Sequence, residues 1–321
     1  MICDDKTQDM TNDIVLPCPD LTEAIEFFTQ RLGFRLEMIV PADAPRAAVV
    51  SGRGIRVRLE SNEPEKPHSP DVEGVVISRM NSDWHVGRAG MQYRDLIPGR
   101  LGGRFIASHI RISEGGEVPD YVHYHNVRFQ MIYCKAGWVR VVYEDQGEPF
   151  VLQAGDCVLQ PPGIRHRVLE ASAGLEVIEI GSPAIHETFV EHEMQLPTRR
   201  VLPERLFGGQ RFVRHIASEA QWTISPVAGC ELLDTGIAAA TNGLASARVH
   251  RFAAQASASR HHHDGEFLFL FVLSGMLDFE SQAEGCQQLT SGDCFVIPAG
   301  MEFTLRAGEK LELLEVSLPA T

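Results

Sequence analysis

The sequence predicts a mainly β protein in which two similar β-rich units, residues 94–198 and 199–321, follow a small α+β element. The first observation is an internal repeat. HYHNVRFQMIYCKAG at 123–137 returns as HHHDGEFLFLFVLSG at 261–275, and AGDCVLQPPG at 154–163 returns as SGDCFVIPAG at 291–300. The second is that short runs of Val, Ile, Phe and Leu alternate with Gly, Pro and Asp turns every ~8–12 residues. This spacing is typical of antiparallel sandwiches and barrels.

Residues 1–65 form the α+β element. Asp20 predicts a helix start, because Glu23 lies three residues later and completes a capping box. Gly33 ends the helix, since glycine readily takes the left-handed conformation found after helices. A short apolar run precedes the helix at 13–17, and three strand-like runs follow it at 34–40, 47–51 and 55–60.

The segment FFTQRLGFRLE at 27–37 resembles the helix-to-strand signature of one half of a glyoxalase (vicinal oxygen chelate) module. In that family the strands carry His, Glu or Gln as metal ligands, whereas the first strand here offers Ile14, Val15 and Leu16. We therefore expect the element to serve packing or dimerisation. A homodimer is one expected assembly, although two β-rich units can also pack against each other within a monomer.

Two stretches separate these parts of the chain. Residues 66–93 are rich in Pro, Ser, Asn and Asp, which predicts a linker. The stretch 199–222, at the start of the second unit, carries a helix signal that the rest of the two units lacks.

Composition excludes several functional classes. The net charge is −14, from 29 basic and 43 acidic residues, and this charge argues against nucleic acids and membrane surfaces, which are themselves polyanions. No run approaches the ~18 apolar residues of a membrane span, and the acidic N-terminus lacks the features of a signal peptide. We expect a cytoplasmic protein.

The seven cysteines are scattered without a CxxC pair, which indicates free thiols in a reducing compartment rather than a disulfide framework. Cys157 and Cys294 occupy the same place in the two repeats, after Gly-Asp and at the start of an apolar run. We expect both to be buried as small hydrophobic side chains.

The first unit contains a pattern of histidines whose spacing is typical of a functional site. His123 and His125 lie at i and i+2 of a strand-like run, so their side chains share one face. Gln130 and Gly137 follow, and the block from Gly155 ends with Pro161, Gly163 and His166. This arrangement resembles the two cupin motifs, G…HxH(x)4E(x)6G and G(x)5PxG(x)2H, with Gln130 in place of the usual glutamate. The resemblance covers both repeats, about residues 95–320.

The resemblance implies that His123, His125, Gln130 and His166 bind one divalent metal ion inside a jelly-roll-like β-barrel. Neutral imidazoles suit Fe, Mn, Co, Ni, Cu and Zn, and four protein ligands leave open positions on a six-coordinate ion. An amide in place of a carboxylate leaves the full positive charge of the ion at the site, which favours an anionic substrate.

The second unit keeps His261 and His263 but departs from the motif elsewhere. Leu268 occupies the glutamate position and Phe303 the position of the last histidine. Two imidazoles alone seldom hold a metal ion tightly, and Glu266 lies two residues away from the register of the missing ligand. We expect a degenerate unit without a metal ion.

Other side chains near the first motif are weaker candidates. Arg140, on the strand after Gly137, could clamp a substrate carboxylate through two hydrogen bonds. By strand alternation, Phe129 and Tyr133 should point away from Gln130. His186, which follows the last strand of the first unit, could cover the mouth of the site.

Three functions remain open for a small-molecule substrate. The first is a cupin dioxygenase with Fe(II). The second is a cupin isomerase or decarboxylase that uses the metal ion as a Lewis acid. The third is a protein that binds a small ligand without catalysis.

Overall fold

The structure is a computed structural model that describes residues 14–62, 74–80, 83–87, 90–253, 259–308 and 310–319. Within these ranges the chain folds into four sheets of four to ten strands and one two-stranded hairpin. Among the described residues, no helix is long and apolar enough to cross a bilayer.

Residues 14–62 form the N-terminal module. The side chain of Asp20 accepts a hydrogen bond of 2.9 Å from the backbone N–H of Glu23, so the predicted helix cap is confirmed. The helix runs on into a π-helical turn (Phe27–Arg31) and stops before Gly33, whose φ is +69°. The elements are β1 (Ile14–Cys18), α1 (Leu21–Glu26), β2 (Arg35–Val40), β3 (Ala47–Gly52) and β4 (Ile55–Ser61).

Residues 76–215 supply most of the first β-sandwich, called the first sandwich below. The elements of this stretch are β5 (Val76–Ser78), which belongs to a sheet of the second sandwich, β6 (His85–Val86), β7 (Gln92–Asp95), the turn α2 (Arg100–Gly103), β8 (Ile106–Ile112), β9 (Gly116–Glu117), β10 (His123–His125), β11 (Phe129–Ala136), β12 (Trp138–Tyr143), β13 (Phe150–Gln153), β14 (Cys157–Leu159), β15 (His166–Ala171), β16 (Leu175–Ser182), β17 (Thr188–Val190), β18 (Leu206–Phe207), β19 (Gln210–Arg211) and β20 (Val213–His215).

Residues 223–318 supply the second sandwich. Its elements are β21 (Thr223–Ile224), β22 (Cys230–Asp234), α3 (Ile237–Ala240), β23 (Ser246–Phe252), β24 (Ser259–His263), β25 (Phe267–Ser274), β26 (Met276–Ser281), β27 (Gly285–Thr290), β28 (Cys294–Ile297), β29 (Met301–Ala307) and β30 (Glu312–Leu318).

The N-terminal module and the first sandwich share one sheet. Its strand order is β1-β4-β3-β2-β17-β10-β15-β12-β13, with β9 on β15. The second sheet of the first sandwich has the order β20-β14-β11-β16-β8-β7-β6. Apolar side chains of both sheets meet in one core, which includes Val139, Val141, Val158 and Val177. The module is therefore continuous with the sandwich rather than tethered beside it.

The second sandwich consists of the sheets β21-β22-β23-β30-β25-β28-β5 and β24-β29-β26-β27. Its edge strand β5 comes from the segment predicted to be a linker and pairs with β28. The strand β20, which directly precedes the second sandwich along the chain, pairs with β14 of the first sandwich. The segment 66–93 is thus a structural part of both sandwiches over the residues that are described.

The two sandwiches pack against each other through one face of a sheet from each. Phe129, Met131 and Tyr133 of β11 belong to the same buried core as Phe267 and Phe271 of β25. Strand alternation thus sends Phe129 and Tyr133 to the interface and Gln130 to the opposite face, as predicted. The buried aromatic surface stabilises the pair of sandwiches through the hydrophobic effect.

The prediction of a helix within residues 199–222 is wrong. The stretch contains β18, β19 and β20 instead. Gly208 and Gly209 join β18 to β19, and their φ values of +55° and +82° suit the tight turn of a hairpin. This turn interrupts any helix through the stretch.

The cysteines that the structure describes are free thiols. Cys157 and Cys294 are both fully buried, as predicted. Burial raises the pKa of each of these thiols to about 12, so both remain protonated and unreactive at neutral pH.

Candidate metal centre

Three buried histidines of the first sandwich converge. His123 and His125 lie on β10, and His166 lies directly opposite His123 on the antiparallel strand β15. One ring nitrogen of each lies within 4.8 Å of those of the other two. All three are nearly inaccessible to solvent, with exposed fractions of 1%, 7% and 5%. The triad could therefore hold a metal ion.

Backbone carbonyls set the tautomers of two of these rings. His123 Nδ1 lies 2.8 Å from the carbonyl oxygen of Tyr121, and His166 Nδ1 lies 3.0 Å from that of Ile164. A carbonyl only accepts, so Nδ1 carries the proton in both rings. Nε2 then carries the lone pair that a metal ion requires, and each ring is held in orientation from its outer side.

A hydroxyl takes the corresponding position at the third ring. His125 Nδ1 lies 2.9 Å from Thr188 Oγ1, and Thr188 is fully buried on β17. Thr188 is also the register partner of His125 in the sheet. No motif singled out Thr188 in the sequence, because its role depends on the pairing of β17 with β10.

Gln130 presents its amide to the same space. Its Nε2 donates a hydrogen bond of 2.9 Å to Glu179 Oε1. The NH₂ end of the amide therefore faces Glu179, which leaves Oε1 at the other end. Gln130 Oε1 is buried and has no hydrogen-bond partner among the described residues. An unsatisfied buried oxygen beside three imidazoles fits a divalent cation, because the cation would satisfy it.

A second glutamine lies at the third histidine. Gln160 Nε2 is 2.8 Å from His166 Nε2, so this amide donates to the lone pair that a metal ion would use. Gln160 is buried, and its own Oε1 has no partner among the described residues. Metal binding at His166 would require this hydrogen bond to break.

The triad lines a cavity of about 930 Å³, counting the solvent at its mouth. Most of the cavity wall is aliphatic. Tyr143 stacks on His166 with ring centroids 5.4 Å apart, and burial raises the pKa of its phenol, which stays protonated. The aliphatic part of the wall includes Ile106, Ile110, Ile132, Val139, Val141 and Val177. Such a wall excludes water and strengthens electrostatic interactions at the polar end.

Two further polar side chains line the cavity. His186 is buried, donates from Nδ1 to the carbonyl of Pro183 at 2.9 Å, and has its ring centroid 5.5 Å from that of His125. Glu179 lies on β16, two strand positions from Gly181, the register partner of Gln130. Glu179 supplies the carboxylate that the histidine motif lacks, and only the pairing of β11 with β16 reveals it.

The structure places Arg140 outside the cavity. Its neighbours Val139 and Val141 line the cavity, so alternation directs Arg140 to the other face of β12. There it is exposed and lies 3.6 Å from Glu170. The hypothesis that Arg140 clamps a substrate carboxylate in the cavity therefore has no geometric support.

The second sandwich repeats the framework without the triad. His261 pairs with Phe303 in the position that His123 and His166 share in the first sandwich, and the two rings stack with centroids 5.2 Å apart. Leu268 is buried in the apolar core, and Glu266 is bound to Arg128 through both carboxylate oxygens. Outside the first sandwich, no group of three His, Cys, Asp or Glu side chains in the described residues is arranged to hold a metal ion.

Comparisons with known families agree with this architecture. The family model described as Cupin domain matches residues 108–180 and 248–317. The model described as Glyoxalase/Bleomycin resistance protein/Dioxygenase superfamily matches residues 11–132. No curated protein matches the chain significantly.

Solved structures share the fold at low identity. Salicylate 1,2-dioxygenase from Pseudaminobacter salicylatoxidans superposes with a TM-score of 0.53 at 18% identity, over 70% of this chain and 75% of that one. An oxalate decarboxylase superposes with a TM-score of 0.54 at 15% identity, over 80% of both chains. Protein Ylba from E. coli gives a TM-score of 0.55 at 13% identity, over 77% of this chain and 92% of that one.

Proposed function

We propose that the first sandwich is a metal-dependent dioxygenase acting on a small organic anion, in a chain with two segments that match the cupin domain family and an N-terminal part that matches the glyoxalase superfamily. The metal ligands are His123, His125 and His166, with Gln130 Oε1 as the fourth. The observation that carries the proposal is the unsatisfied buried oxygen of Gln130 beside three imidazoles whose outer nitrogens are already anchored.

A divalent metal ion bound there would act as a Lewis acid toward substrate oxygens and, if it is iron, would supply redox chemistry with dioxygen. The protein contributes a neutral ligand set of three imidazoles and one amide. These ligands are neutral, so the ion would keep its charge toward an anionic substrate, while the Glu179 carboxylate contacts only the NH₂ end of the Gln130 amide. Glu179 keeps the oxygen of Gln130 facing the triad by accepting from its NH₂ group.

The rest of the cavity orients the substrate and keeps water away. Its aliphatic wall packs against the hydrocarbon part of the substrate, and its few polar side chains are grouped around the triad. His186, protonated on Nδ1 toward Pro183, can accept a hydrogen bond at Nε2 from a substrate hydroxyl. These groups favour a compact hydroxylated or oxo-substituted acid.

The solved relatives support oxygenase chemistry and suggest one rival. A salicylate 1,2-dioxygenase shares the fold, and one of the superposed structures of that enzyme contains gentisate. An oxalate decarboxylase shares it equally well. Decarboxylation or isomerisation by a Lewis-acid metal ion is therefore the alternative reaction at the same site.

The test begins with metal content. Protein loaded anaerobically with Fe(II) should retain about one ion per chain and consume oxygen with one member of a substrate panel that includes gentisate, salicylate, catechol, oxalate and small oxo acids. His166→Ala should lose both the metal ion and the activity. His262→Ala changes an exposed histidine of the second sandwich and should keep both.

The outcomes separate the three functions. Oxygen uptake that requires iron and His166, with oxygen atoms incorporated into the product, supports the dioxygenase. Equal substrate consumption under argon, with release of carbon dioxide or of an isomer, overturns it in favour of the Lewis-acid alternative. Binding of a panel member without turnover by metal-replete protein assigns a binding function instead.

A further inference from the structure

The N-terminal module reaches the cavity of the first sandwich. Strand β2 ends at Val40, and the two residues after Pro41, Ala42 and Asp43, line the same cavity as the histidine triad. They come from the part of the chain that matches the glyoxalase family, not from either cupin match. The module thus contributes directly to the space where a ligand would lie.

Strand pairing fixes the position of the segment that follows β2. Ile39 of β2 pairs with Thr188 of β17, and Thr188 pairs with His125 of β10. Directly opposed residues of neighbouring strands lie ~4.5–5.5 Å apart. Strand β2 of the module is therefore the direct neighbour of β17, which carries the Thr188 hydroxyl that contacts His125. A rigid sheet, not a flexible tether, carries the module to the cavity.

Contacts with the first sandwich then hold the segment after β2 in place. The carboxylate of Asp43 forms an ion pair with Arg100, and both side chains are largely buried. A Cβ atom on Gly87 would come within 2.8 Å of the Asp43 carbonyl oxygen and within 2.6 Å of the Tyr93 ring, so only glycine fits there. Within the segment, the Arg46 N–H donates to the Val40 carbonyl at 2.9 Å and closes the loop.

We propose that residues 41–46 of the N-terminal module form a wall of the substrate pocket, and that the small side chain of Ala42 sets the largest substrate that the pocket admits. The proposal deepens the proposed function and rests on it for the identity of the occupant, a small organic anion. It assigns to the glyoxalase-like module a role in substrate selection. Asp43 anchors the wall through its ion pair with Arg100.

The experiment compares two neighbouring alanines. Ala42 lines the cavity, whereas Ala44 is exposed on the same loop, so Ala44→Trp is the matched control for Ala42→Trp. Each protein is loaded with Co(II), whose visible absorption responds to a change of ligands, and is titrated with azide and with 2-hydroxybenzoate. Ala42→Leu is a milder variant in case the indole prevents folding.

Ala42→Trp should keep the cobalt content and the azide affinity of the wild type while binding 2-hydroxybenzoate at least about tenfold more weakly, which corresponds to ~1.4 kcal/mol. Ala42→Leu should show a smaller loss of the same kind, and Ala44→Trp none. Unchanged 2-hydroxybenzoate binding by Ala42→Trp overturns the proposal. An equal loss for azide and 2-hydroxybenzoate also overturns it, because the effect is then on the metal ion and not on ligand size.

A crystal structure of metal-free Ala42→Trp separates this proposal from the proposed function. If the wild type holds no cobalt, the metal-enzyme proposal fails, and the wall is judged from the crystal structure alone. An indole that lies inside the cavity between Tyr93 and the triad supports the wall. An indole that turns to solvent, with the cavity unchanged, overturns it.

Discussion

The side-chain nitrogen of Gln130 lies 2.9 Å from Glu179 Oε1 and donates a hydrogen bond to it. This contact decides which end of the Gln130 amide faces the three histidines. Gln130, which replaces the usual motif glutamate, can therefore offer a neutral oxygen to a metal ion. The carboxylate that holds its amide in this orientation, Glu179, lies on the neighbouring strand β16. The carboxylate of the site is thus Glu179, which holds Gln130 in place, and not one of the proposed metal ligands.

Replacing Glu179 should weaken metal binding through Gln130. In Glu179→Leu the amide loses its acceptor and can rotate, so we expect the Co(II) affinity to fall about tenfold, the lower end of the loss typical of groups that orient metal ligands. Chelator competition measures this. Glu179→Gln keeps a carbonyl acceptor and should lose less. An unchanged affinity in Glu179→Leu would show that Gln130 does not need this anchor.

Thr188 should matter for the metal ion although it cannot touch it. Thr188→Val removes the buried hydroxyl that lies 2.9 Å from His125 Nδ1 and with it the hydrogen bond that orients the ring. The expected loss of Co(II) affinity is about tenfold to a hundredfold. Thr188→Ser keeps the hydroxyl and serves as the control. If both variants bind like the wild type, His125 is oriented by packing alone.

Gln160 is expected to compete with the metal ion. Its amide donates to His166 Nε2, and a net hydrogen bond of this kind contributes ~1 kcal/mol. Gln160→Leu removes the bond, so the Co(II) affinity should rise by up to about fivefold. A fall in affinity would instead indicate that the Gln160 amide turns over on metal binding and contributes Oε1 as a ligand.

The second sandwich should not contribute a metal ion. His261→Ala removes the histidine that faces Phe303, and the variant should still bind one cobalt ion per chain with the wild-type spectrum. His123→Ala removes the residue at the equivalent place of the first sandwich and should abolish binding. Elemental analysis after gel filtration measures both. A stoichiometry near two in the wild type that drops to one in His261→Ala would contradict the assignment.

Acid stability should depend on Glu176, at the edge of the buried region between the sandwiches. Hydrogen bonds from His109 at 2.8 Å and from Lys135 at 2.6 Å lower its pKa from the ordinary 4.5 to about 2. A carboxylate whose pKa is lower in the folded state stabilises the fold above its unfolded pKa. This stabilisation is complete above pH 4.5 and is lost as the pH falls from there through 2.

Glu176→Gln should therefore have a lower free energy of unfolding than the wild type at pH 7, and the difference should shrink as the pH falls from 4.5 to 2. Urea unfolding at a series of pH values measures it. Glu231→Gln changes an exposed carboxylate and should show no such convergence. If the free energies of unfolding of Glu176→Gln and the wild type differ by the same amount at every pH, the contacts of Glu176 with His109 and Lys135 do not contribute to acid stability.

Much of the candidate site follows from local patterns. The i, i+2 spacing of His123 and His125 places both on one face of a strand, and the same alternation separates Gln130 from Phe129 and Tyr133. The repeat showed that Phe303 and Leu268 replace ligands in the second unit. Arg140 is the exception, because motif order suggested a substrate clamp, whereas its apolar neighbours Val139 and Val141 already direct it outward.

The amino-acid sequence alone determined two β-rich repeats, a capped helix in front of them and a motif whose three histidines all occur in one repeat only. These are properties of neighbouring residues, which strand alternation and capping govern locally. The tertiary structure alone decided what surrounds that motif. Glu179 meets Gln130 across 49 residues of chain, Thr188 meets His125 across 63, and Ala42 reaches the cavity from another module. Such neighbours depend on which strands pair, and pairing is settled by the burial of whole sheet faces.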